Sequence, residues 1–378
     1  MYLAIYSTMP ASHLYVHVPF CARRCVYCDF SIAVRHVVPV SDYLEGIERE
    51  LNAVMSEGPW SLDTLYLGGG TPSKLGGDGI RQLVDSIESR AIVSPNAEIT
   101  IEANPEDVTA DALEAWVAAG INRLSLGAQS FHDSVLTWMH RTHDSRQIGE
   151  AVQLARAAGI DNISLDLIFA LPSEIDRSWS DDLDAALALE PRHVSLYGLT
   201  IETATPLQRW TDQQRITPAV DDRYAEEFLL AHDRMTARGF THYEVSNFAL
   251  PGSESRHNSS YWSGVPYLGI GPAAHSFDGR RRHWNLRPYS DWLRVLRDGH
   301  SAIEGEELLD SKNTASERVY LGLRTREGYS IGKSDSPDRA AAESWARAGW
   351  AVIDGDLVRL NPEGWLRLDS LAAGLTGS

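Results

Sequence analysis

All three cysteines of this 378-residue chain fall within one short stretch, Cys21-Ala-Arg-Arg-Cys25-Val-Tyr-Cys28, and no other feature constrains the molecule as strongly. An odd, crowded set cannot pair off as intramolecular disulfides, whereas three thiolates on one loop can share one metal centre. A four-iron cluster held by three protein thiolates leaves one iron open to a small ligand. Zinc completed by His13 or His17 is the competing use of such soft ligands, and three incidental buried thiols are the plainest alternative.

The rest of the chain reads as a repeating β/α pattern. Short runs rich in β-branched and aromatic residues at 14–18, 64–67, 98–102, 123–126, 164–168 and 193–199 predict six strands. Amphipathic stretches near 42–55, 78–89, 110–119, 145–158 and 179–189 predict the intervening helices, with Thr109 and Asp144 as N-caps and Gly120 and Gly159 at C-terminal caps. The unusual residues then follow strand ends: Cys21, the Gly68-Gly69-Gly70-Thr71-Pro72 turn, Glu102 with Asn104, Gln129, and Asp166. They gather at the C-terminal mouth of a parallel barrel. Six units instead of eight predict a partial barrel, open on one side.

Beyond residue 200 the expected elements are a helix at 221–238, a strand at 241–248, a polar loop at 249–260 and a glycine-ended strand from Tyr267. Gly269-Ile-Gly271-Pro-Ala-Ala274 lacks the βαβ unit and acidic residue of a dinucleotide fingerprint. From about Ser290, helices at 289–298, 314–323 and 338–349 precede strands at 351–353 and 357–360, joined by the turn Asp354-Gly355-Asp356. The domain expectation is a core of 1–285 and a small helical, winged-helix-like unit of 286–378.

A formal charge of -18 opposes broad nucleic-acid binding, and 43% hydrophobic with 23% charged residues is ordinary for a globular protein. The basic run Arg280-Arg281-Arg282-His283 reads as a solvated loop, with contact to the carboxylates of a ligand as the alternative. Residues 1–12 carry neither a basic start nor a long apolar segment, so a signal peptide or anchor is not expected. Exposed cluster thiolates need reducing surroundings, which points to the cytoplasm.

The cysteine spacing, with Tyr27 before the last thiol, resembles the signature of the radical S-adenosylmethionine (SAM) superfamily. Leu14-Tyr-Val-His-Val-Pro-Phe, the triple glycine, Ile101-Glu-Ala-Asn-Pro, Asn122-Arg-Leu-Ser-Leu-Gly-Ala-Gln-Ser-Phe and Asp166-Leu-Ile-Phe-Ala-Leu-Pro are similar to strings of one branch, the oxygen-independent coproporphyrinogen III oxidases and their relatives. The resemblance spans about residues 14–276. It implies an α/β radical SAM partial (β/α)6 barrel, a [4Fe-4S] cluster on Cys21, Cys25 and Cys28, and SAM held by Tyr15, Tyr27, Gly69, Gly70, Thr71, Glu102, Gln129, Arg141 and Asp166.

Two departures divide that branch. Where the oxidase has a fourth cysteine this chain has Phe30, and it begins only about twenty residues before the cluster loop, without the oxidase's long N-terminal extension. Both favour the sister group of heme chaperones over oxidative decarboxylation of coproporphyrinogen III, the alternative function. His257-Asn-Ser-Ser-Tyr261-Trp262 resembles the HNxxYW string of those chaperones, implying heme contacts from His257, Tyr261 and Trp262. The implied partners are heme and an acceptor heme protein, such as a respiratory membrane protein. A homodimer through the cluster face is also compatible with the resemblance.

Overall fold

The computed structural model describes residues 11–55, 60–331 and 337–376, so the reading of the first ten residues lies outside it. The six expected strands are β1 (His13–Val18), β2 (Trp60–Gly69), β3 (Ala91–Ala103), β4 (Arg123–Gln129), β5 (Asn162–Phe169) and β6 (His193–Gly198). They pair in parallel in that order. The helices between them form where periodicity places them, with the Thr109 side chain capping Ala110–Ala118 and an Asp144/Gln147 capping box opening Ser145–Ala157. Gly120 and Gly159, at φ +81° and +93°, terminate two of them in the left-handed region that glycine adopts without strain.

Strand alternation decides what the barrel encloses. Leu14, Val16, Leu65, Leu67, Ile101, Leu124, Leu126, Ile163, Leu165, Leu167 and Val194 are buried apolar residues of the outward parity, facing the helices. The opposite parity runs Tyr15–Tyr66–Thr100–Arg123 across the lower register and Glu102–Ser125–Ser164 higher up. The interior is therefore polar. That leaves a ligand-binding space where a filled barrel would stack aliphatic side chains.

Short strands flank both edges. Leu268–Ile270 runs parallel to β1, and the hairpin Thr241–Glu244/Asn247–Ala249 lies antiparallel to β6. The expected single strand at 241–248 is broken at 245–246. There the Glu244 carboxylate accepts the Ser246 N–H at 3.1 Å and the Asn247 amide, bending the chain. The expected loop at 249–260 becomes helical at Arg256–Ser263. Ser255 caps it, and the Glu98 carboxylate accepts the first N–H groups, of Arg256 and His257, at 3.1 and 2.9 Å.

A three-stranded antiparallel sheet, His275–Phe277, Arg281–Asn285 and Ile303–Leu308, straddles residue 285. Its basic run is no solvated loop: Arg281 pairs with Glu306 at 2.8 Å and Arg282 with Glu317 at 2.9 Å. Helix Tyr289–Arg297 lies on Val40–Val54. The buried Glu50 carboxylate joins the two by accepting the Trp292 indole N–H and the Gly271 N–H, each at 2.9 Å, and the Asn285 amide. The C-terminal unit has the winged-helix arrangement: helix Ser311–Arg324, helix Pro337–Arg347, and a wing made of Ala351–Asp354, Leu357–Leu360 and Tyr329–Ser330. Arg324 fastens it to the core, pairing with Glu244 at 2.7 Å and lying 4.2 Å over the Trp262 ring.

Candidate functional site

Residues 20–21 and 33–34 form a two-residue parallel ladder that contains Cys21 and pins at both ends the loop carrying Cys25 and Cys28. All three thiols are free, half-buried, and line one cavity of about 420 Å3 at the strand mouth. Cys21 Sγ stands 3.4 Å from the Thr71 hydroxyl, and Cys25 Sγ accepts from Arg141 Nη1 at 3.4 Å. Burial pushes the Cys21 thiol up and Cys28 up to about 11.

The glycine turn meets this loop backbone to backbone. A Cβ on Gly70 would lie 2.7 Å from the Pro19 carbonyl carbon, and Gly69 takes φ +110°, so neither position accepts a side chain without strain. The Gly69 N–H donates to Glu102 Oε2 at 2.9 Å while Tyr66 donates to Oε1 at 2.8 Å. Burial, reinforced by Asp166, lifts Glu102 to about 7 despite those two donors. Asp166 accepts from Ser125 at 3.0 Å and Ser164 at 3.3 Å, and burial raises it too. Two carboxyls thus face the cavity with capacity left to accept ligand hydroxyl or ammonium protons.

Arg141 crosses the opposite wall. Its Nη2 donates to the Gly127 carbonyl at 2.9 Å and to Asn104, and its Nε is buried with no hydrogen-bond partner among the described residues. A Cβ on Gly127 would lie 3.0 Å from the Gln129 amide nitrogen and 3.2 Å from Arg141 Nη2, so a side chain there would shift both side-chain ends. Gln129 itself has φ +65°, which turns the strand end so that the residue lines the cavity. Tyr27 packs beside Val135, Met139, Ile168 and Leu171, and also lines the cavity. Tyr15 does not line it. It stacks on Tyr66, donates toward His17 Nδ1 at 3.1 Å, and supports the layer beneath Glu102.

Asn104, Ser125, Gly127 and Tyr197 also line the cavity and were not assigned a ligand role from the sequence. A polar residue of inward parity next to each named carboxylate was the available signal.

His257 lies elsewhere, on the floor. It is 1% exposed, with Nδ1 bonded to Thr64 Oγ1 at 2.7 Å and Nε2 to the Tyr261 hydroxyl at 2.9 Å. A heme iron would have to displace one of these partners inside a closed layer. Tyr261 and Trp262 do line a cavity, a second one between core and C-terminal unit.

An open parallel barrel with three cysteines, a glycine turn, paired carboxyls and a buried arginine at its mouth is the architecture of a radical SAM protein. The sequence model of the Radical SAM superfamily matches residues 15–186. Superposition agrees: the coproporphyrinogen III oxidase HemN of Escherichia coli, described as a radical SAM enzyme, aligns at TM-score 0.83 over 99% of this chain and 92% of its own, at 21% identity, a likeness of fold. Within the superfamily the chain belongs to the HemW family. The heme chaperone HemW of Mycobacterium tuberculosis is 35% identical over 96% of this chain and 94% of its own length, and that of Bacillus subtilis 33% identical over 84% of each. The superfamily's cofactors are a [4Fe-4S] cluster and SAM, and the donor set here fits both: three free thiols on one wall, a cradle that a Cβ would fill, and an unpartnered guanidinium N–H.

Proposed function

We propose that the chain is a cytoplasmic heme chaperone, which binds heme as cargo and delivers it to an acceptor heme protein while carrying a SAM-coordinated [4Fe-4S] cluster. The observation that carries this reading is full-length similarity to proteins of that name, together with a mouth that keeps three thiols and a SAM-sized polar cavity. Cys21, Cys25 and Cys28 hold the cluster. Gly69, Gly70 and Thr71 cradle SAM; Glu102, Gln129 and Asp166 bond its hydroxyls and ammonium, Arg141 its carboxylate, and Tyr27 closes the side, with Tyr15 supporting from below. When bound, the cluster offers SAM an open iron and a low-potential electron.

The expected division at residue 285 moves toward the C-terminus in this reading, because the sheet 275–308 and helix Tyr289–Arg297 pack with the cofactor-bearing core and the docking unit begins at Ser311. Among the described residues no helix is long and apolar enough to cross a membrane. An acceptor embedded in a membrane would therefore be met at its surface.

The test is anaerobic reconstitution with iron and sulfide, then heme titration at the Soret band, with coproporphyrinogen, SAM and a reductant supplied in parallel. Stoichiometric heme uptake without porphyrinogen turnover is the expected result. Turnover without tight heme binding would make the chain an oxidase and end the chaperone reading. Cys25→Ser should remove iron and brown colour.

A further inference from the structure

The second cavity, about 1150 Å3, exceeds the ~300–1000 Å3 of ordinary ligand clefts and shares no lining residue with the cysteine cavity. It lies between the sheet of residues 275–308 and the C-terminal unit. Its walls carry the rings of Tyr261, Trp262, Tyr267, Phe277, Tyr320 and Tyr329, flat faces suited to a planar aromatic guest. Resting on the chaperone reading, we infer that heme docks in this cleft with the His275 imidazole on its iron.

His275 differs from the core histidines. His193 and His257 each spend both ring nitrogens on neighbours, and His17 is bonded through both as well. His275 is exposed, lines the cleft, and lies along the Trp284 ring at 5.9 Å with 27° between planes; no described residue hydrogen bonds to its imidazole. The strand sets its side, since His275 and Phe277, two residues apart on one face, both line the cleft. Its backbone crosses so close to Gly269 that a Cβ there would lie 2.1 Å from the His275 carbonyl oxygen, so the residue cannot retreat into the sheet. Partial burial, followed by the charges of Arg282 and Arg287, lowers its pKa and keeps the ring in the neutral form that ligates metal.

The cleft also offers a cation to the carboxylates of heme. Arg318 stands exposed on the wall with no side-chain acid paired to it among the described residues, whereas Arg282, 5.4 Å over the Phe277 ring, is already held by Glu317, and Glu317 and Asp369 line the same wall. An arginine beside an aromatic wall presents donors at the polar edge of a guest whose face is apolar.

The full reconstituted chain is titrated with hemin, following the Soret band and the ferric heme electron paramagnetic resonance signal. His275→Ala should abolish the histidine-ligated signature and weaken binding by at least the about 10–100-fold that disturbing even the outer partners of a metal ligand costs, and added imidazole should restore the band. Ala373→Trp, which fills the cleft from helix Leu368–Thr376, should block uptake while far-ultraviolet circular dichroism and iron content stay unchanged. His257→Gln should bind heme as wild type does. If the wild-type chain binds heme and both His275→Ala and Ala373→Trp match it in affinity and spectrum, the cleft is overturned and the chaperone reading stands. Failure of the wild-type chain to bind heme overturns both.

Discussion

Gly70 tests the idea that the glycine turn and the cysteine loop are built against each other. An alanine Cβ would stand 2.7 and 2.8 Å from the Pro19 carbonyl carbon and oxygen and 3.0 Å from the Phe20 oxygen. All three are backbone atoms, so no rotamer change relieves the contact; residues 19–21 must move by several tenths of an ångström, carrying Cys21 with them. Overpacking of this kind costs ~1–3 kcal/mol. Alanine returns ~0.4–1 kcal/mol by restricting the unfolded chain, so Gly70→Ala should destabilise by about 1–2 kcal/mol net. Gly149→Ala is the matched control. It sits inside helix Ser145–Ala157, where the nearest atom to the new Cβ is Leu189 Cδ2 at 3.8 Å, an ordinary contact, and should stabilise by ~0.5–1 kcal/mol. Urea unfolding of both variants, with iron per chain and calorimetric SAM affinity after reconstitution, measures the difference. Sites of this kind tolerate displacements of only about 0.5 Å, so Gly70→Ala should also lose iron and SAM affinity. Equal stability and SAM affinity in Gly70→Ala and wild type would refute the close-contact argument.

Three further expectations follow from buried charge. Burial lifts Glu50 and Glu102 each to about 7, so the folded chain takes up protons below that value. The stability they contribute is full below 4.5 and is lost as pH rises through about 7. In thermal melts, the gap between wild type and Glu50→Gln should therefore shrink from pH 4.5 to 8; a constant gap would be inconsistent with a raised Glu50. Arg177, fully buried, bonds the equally buried Asp182 at 2.8 Å and Glu227 at 3.0 Å, so Arg177→Met should cost ~3–5 kcal/mol in urea unfolding by stranding Asp182. Trp292→Phe keeps the ring but removes one donor from Glu50, and should cost about 1–2 kcal/mol, read as a lower urea midpoint at unchanged slope.

The six strands and their helices were legible because each strand is a local run of β-branched residues and each helix is marked by its own caps, signals that need no knowledge of distant partners. The site was legible as far as it consists of strand ends, since a parallel barrel brings those together whatever lies between. What stayed hidden depends on contacts far apart in sequence. Helix Arg256–Ser263 begins where it does because Glu98 receives its first N–H groups from 158 residues away. Asn104 and Gly127 matter only because Arg141 lies across them. His257 and His275 look alike as letters; that one has both nitrogens bonded inside a floor layer and the other faces a cleft is settled by Thr64, Tyr261 and the crossing at Gly269.

The edge strands explain how the barrel stays open without exposing its edges. An unpaired parallel edge is a row of unsatisfied N–H and C=O groups inviting another chain. Leu268–Ile270 covers β1 at Leu14–Val16 only, and Asn247–Ala249 covers β6 at His193–Ser195 only. Both covers therefore sit at the N-terminal half, over the floor of His257, Thr64 and His193. The upper ends, His17–Val18 and Tyr197–Gly198, are left for the cysteine loop and the segment 199–202, which line the cofactor cavity instead of extending the sheet. A full-length cover on either edge would pair those upper residues and occupy the space where the thiols, Glu102 and Asp166 converge. The short strands thus satisfy the lower backbone and leave the cysteine cavity open at the mouth.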